Sequence, residues 1–67
     1  MCLSTAFLKS NDGERVEITK NVCAIRVETD RVILTDILGV ETPVPGMLSF
    51  CDLVNGALEI DPLPALA

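Results

Sequence analysis

The sequence predicts an all-β fold: a small single-domain β-barrel, Sm-like or similar, of six to seven short strands. Three observations predict it. Apolar and polar residues alternate at period two along much of the chain. Turn residues recur at spacings of about eight to twelve positions. No stretch sustains the 3.6-residue period of an amphipathic helix. A closed barrel is favoured over an open sheet, because so apolar a chain would otherwise expose sheet edges ready to pair with other chains.

The elements follow in order. CLSTAFLK (2–9) sets Leu3, Thr5 and Phe7 on one face and Cys2, Ser4, Ala6 and Leu8 on the other, the pattern of a strand half-buried on both sides. SNDG (10–13) is a turn, since Asp-Gly between extended runs is a strong hairpin signal. In RVEIT (15–19), Val16 and Ile18 alternate with Arg15, Glu17 and Thr19; Lys20-Asn21 then reads as a short connection. VCAIRVE (22–28) alternates again, with Cys23 in phase with Ile25 and Val27 and therefore expected as a small buried side chain. Thr29-Asp30 turns the chain into RVILTDI (31–37), rich in β-branched residues.

Gly39 and Gly46 bracket VETPVPG, whose two prolines demote it to an edge or irregular strand. MLSFCDL (47–53) is extended, with Cys51 expected to pack. Asn55-Gly56 turns the chain into ALEI (57–60). The two prolines of DPLPALA argue against regular pairing, so residues 1–60 read as the barrel domain and 61–67 as a Pro-containing C-terminal tail.

Composition bounds the function. A chain of 67 residues buries only about 60% of its unfolded surface, which leaves stability marginal. Hydrophobic residues make up 49% of it, more than so small a core can hide, and a homodimer that covers the surplus is the simplest resolution. The net charge of −5 argues against nucleic acid as a partner, because five Lys and Arg cannot make a broad phosphate-binding footprint. Phe7 and Phe50 are the only aromatic residues, too few for a base-stacking platform. MCLSTAFLK lacks the basic start and apolar length of a signal or membrane segment, so a cytoplasmic protein with no membrane association is expected. In that compartment three cysteines point to free thiols or metal ligands rather than a disulfide framework.

No catalytic constellation is legible. Without histidine, neither cysteine nor serine has its usual base. The glycines sit singly at turns and form no phosphate loop, and the cysteines lack the paired spacing of a zinc knuckle. The chain is not expected to be an enzyme.

Cys2 stands apart because of its place. If Met1 is trimmed, Cys2 presents an α-amine and a thiolate on one residue, and the two close a five-membered chelate ring on a metal ion. If Met1 is retained, its amine, the Cys2 amide nitrogen and the Cys2 thiolate make two fused rings. Nitrogen with soft sulfur in a plane suits Ni(II), with Cu(II) the usual competitor. One chain supplies two or three donors. A two-fold dimer that joins the N-termini would complete a four-coordinate site.

Met1-Cys2, the LTDILG stretch (Leu34 to Gly39) and the DLVN run (Asp52 to Asn55), in this order and spacing, resemble the CooT family of small nickel-binding proteins. The likeness runs from Met1 to Ile60. It implies a β-barrel homodimer that binds Ni(II) through Cys2 and a backbone nitrogen of Met1 or Cys2, without an organic cofactor. It also implies an accessory role in nickel insertion, with a nickel-enzyme client such as carbon monoxide dehydrogenase. Cys23 and Cys51 are outside the motif, so Cys2 alone is carried over as a ligand. Two other readings of the residues remain: a β-barrel module that docks a partner protein, and an Sm-like RNA binder.

Overall fold

The computed structural model describes residues 3–10 and 12–62. They form five strands: β1 (Ser4–Lys9), β2 (Arg15–Val27), β3 (Arg31–Asp36), β4 (Glu41–Asp52) and β5 (Ala57–Pro62). Consecutive strands pair antiparallel, and β1 pairs parallel with β5, so the sheet closes on itself as a barrel. The all-β expectation is met. The expected six to seven strands become five, and the reason lies at two residues.

The Lys20-Asn21 connection is a bend inside β2. Asn21 takes a φ of 59°, a left-handed conformation that asparagine tolerates better than most residues. Residues 15–19 of β2 pair with β1 and residues 24–27 with β3, with Val22 opposite both Ser4 and Asp36. Gly46 does the same for β4, with residues 41–45 on β3 and 46–52 on β5. Its φ is 148°, and a Cβ there would run into the Asp61 carbonyl, so the bend needs glycine. Each pair of short expected strands is thus one long strand that changes partner at its bend.

The same geometry accommodates the prolines. The Gly46 N–H donates to the Asp30 carbonyl at 3.2 Å, which sets the hydrogen-bonding phase of β4 against β3. Pro43 and Pro45, opposite Ile33 and Arg31, fall in the alternate phase, on the half of β4 that β5 does not reach. The segment is locally an edge, as its composition requires. At the other end of the chain, Asp61 and Pro62 pair with Met47 and Gly46, so regular pairing runs two residues into the segment expected as tail.

The core is small and aliphatic: Ala6, Val22, Val32, Leu34, Val44, Leu58 and Ile60 are buried, with Leu8, Ile18, Ile25 and Leu48 packed against them. Period-two alternation delivers Val32 with Leu34, and Leu58 with Ile60, to the inside. No helix in the described chain is long and apolar enough to cross a membrane.

Candidate metal-binding mouth of the barrel

Two acid-capped turns organise one end of the molecule. The carboxylate of Asp36 accepts from the amides of Leu38 and Val40 at 2.9 and 3.0 Å, and its own amide donates to the Val40 carbonyl. The carboxylate of Asp52 accepts from the amides of Val54 and Asn55, both at 3.0 Å, and from the Asn55 side chain at 2.7 Å. The Asn55 side chain first, then the Asn55 and Val54 amides, hold the Asp52 pKa below its ordinary value of 3.8. An aspartate that folds its carboxylate onto the next two or three amides is a local turn former. The LTDILG and DLVN stretches are therefore these two turns.

A cysteine lies beside each turn. The Cys23 thiol donates to the Asp36 carbonyl at 3.3 Å, and Cys51 immediately precedes Asp52. Both are exposed free thiols, which corrects the expectation that they pack inside. Cys23 sits in a β-bulge: the β2–β3 register slips between Val22 and Ala24, and the extra residue leaves the inward phase. Cys51 lies beyond a second slip, between Leu48 and Phe50 of β4, which sets it opposite the buried Leu58; its exposure comes from the open pocket that both residues line. A bulge adds one residue and reverses which side chains face the core, and nothing in the local composition marks either one.

The two thiols line a single pocket of about 180 Å³, walled by Ser4, Val22, Leu53 and Leu58. Ser4 opens β1, whose start is fixed by a hydrogen bond from Thr5 N–H to the Gly56 carbonyl at 2.8 Å. Gly56 has a φ of 71°, and a Cβ on it would come within 2.8 Å of the Leu3 carbonyl. The absence of a side chain there lets the first strand pass against the Asp52 turn. Cys2 and Met1, the expected ligands, lie outside the described residues.

Among the described residues no group of three or more His, Cys, Asp or Glu gathers as a metal cage. A larger hollow of about 300 Å³, lined in part by Arg26, Ile33 and Glu41, contains neither thiol.

These features define a small closed-barrel protein whose two described cysteines line one pocket. The chain matches the family described as CO dehydrogenase accessory protein CooT over residues 1–61, and it belongs to that family. The description is of an accessory protein rather than a catalyst, in keeping with the sequence reading. No curated protein matches the chain closely enough to count as a relative.

Proposed function

We propose that this protein is a nickel-binding accessory protein, a Ni(II) chaperone or store that carries the ion as cargo at Cys2. The thiolate and the backbone nitrogen of Met1 or Cys2 form the chelate, and carbon monoxide dehydrogenase is the client class. The observation that carries this reading is family membership over residues 1–61, which takes in Met1-Cys2. In the same reading the protein is cytoplasmic and works as a homodimer, with nine large hydrophobic side chains exposed among the described residues to supply the interface. RNA binding is the weaker alternative, because the net charge of −5 opposes phosphate contacts.

The test is an anaerobic Ni(II) titration of protein with its native N-terminus, beside Cys2→Ala. The expected result is about one nickel per two chains, with a thiolate-to-nickel absorption band absent from the variant. Binding should strengthen as pH rises, since amine and thiol must each lose a proton to ligate. Equal, weak binding by both proteins would overturn the reading.

A further inference from the structure

The mouth contains more thiol chemistry than a Cys2 chelate uses. Cys23 and Cys51 come from β2 and β4, lie far apart in sequence, and face one pocket with aliphatic walls. Exposed free cysteines are uncommon, because the residue ranks among the most buried types. Here the β2 bulge turns Cys23 out of the core, and the β4 slip sets Cys51 opposite the buried Leu58 while its side chain stays exposed. Bulges often serve to re-aim a side chain beside a functional site.

We propose that Cys23 and Cys51 together bind one Cu(I) ion, forming a soft-metal site separate from the Cys2 chelate. Three properties of the pocket select that ligand. Its volume of about 180 Å³ is below the roughly 300 Å³ at which small-molecule sites begin, and suits an ion with a little water. Its donors are two thiolates, which favour soft ions. Cu(I) is satisfied by two sulfur ligands, whereas Zn(II) and Ni(II) call for about four donors. The walls of Val22, Ala24, Ile25, Leu53 and Leu58 offer few oxygen ligands to a hard, strongly hydrated ion. On binding, each thiol gives its proton to solvent and each sulfur donates an electron pair to copper. Cys23 exchanges its hydrogen bond to the Asp36 carbonyl for the metal bond.

The experiment is an anaerobic competition titration of Cu(I) against bathocuproine disulfonate, using the unmodified chain, Cys2→Ser, Cys23→Ser and Cys51→Ser. Cys2→Ser should retain about one Cu(I) per chain at unchanged affinity. Cys23→Ser and Cys51→Ser should each weaken binding by at least roughly 100-fold, the upper end of what loss of even an outer-shell partner costs. Alkylation mapping of the unmodified chain gives an answer free of folding effects: one equivalent of Cu(I) should protect Cys23 and Cys51 together. Unchanged affinity in either pair variant, or protection of Cys2 alone, would overturn the proposal. The outcome is separable from the nickel titration, since the copper site is expected to survive in Cys2→Ser.

Discussion

Asp36 and Asp52 each carry a turn on one carboxylate, and the two turns position both pocket thiols. Because its hydrogen bonds lower the Asp52 pKa in the folded chain, its contribution to stability is fully present above the unfolded value, near 3.8. It is lost as pH falls through the lower folded value. Asp12 behaves alike, lowered chiefly by the Ser10 hydroxyl and then by the Glu14 amide. Asp52→Ala should therefore lower stability at pH 7 and flatten part of the acid limb of a urea-unfolding series between pH 7 and 2. An unchanged acid limb would show that the turn does not depend on the carboxylate. These acids were legible as motif residues, and their physical role emerges only with the backbone amides in place. The thiols are a different case: the register slips at Cys23 and at Ser49, so period-two alternation does not carry through either position.

The elements were legible as extended segments, and their joins were not. Asn21 and Gly46 have the local chemistry of strand ends, because the positive φ that terminates a strand also bends one. Only the pairing partners distinguish the two cases, and those lie elsewhere in the chain. Gly46→Ala tests the bend. The added methyl meets the Asp61 carbonyl and an unfavourable φ, so a loss of roughly 1–3 kcal/mol is expected from chemical denaturation. In the core, Leu34→Ala should cost about 2–5 kcal/mol, enough to unfold much of a chain this small.

For the whole molecule the decisive feature is apolar surface left uncovered. Val54 is 94% exposed and Leu38 84%, each on one of the two acid-capped turns. The proposed dimer predicts a sedimenting mass of roughly twice the 7.2 kDa chain, falling towards one chain in Val54→Asp or Leu38→Asp. A single-chain mass at all concentrations would remove the dimer. The surplus itself was legible in composition. Which residues remain outside was not, because that depends on how the bent strands divide a core of seven buried hydrophobic side chains among the described residues.

The parallel pairing of β1 with β5 has a kinetic consequence. Every other strand pair joins neighbours in sequence, as hairpins that form in about 1–10 μs. The seam, which sets Thr5 opposite Ala57, must wait until the two ends of the chain meet, and long-range pairings of this kind are slow. Until then Ser4 and Leu58 stand apart, and the two sulfurs sit on halves of an open sheet. An ion that needs both sulfurs can bind only after the seam has closed. Once bound, it would hold the seam shut, so the copper-loaded chain should exchange the Thr5 amide hydrogen more slowly than the free chain.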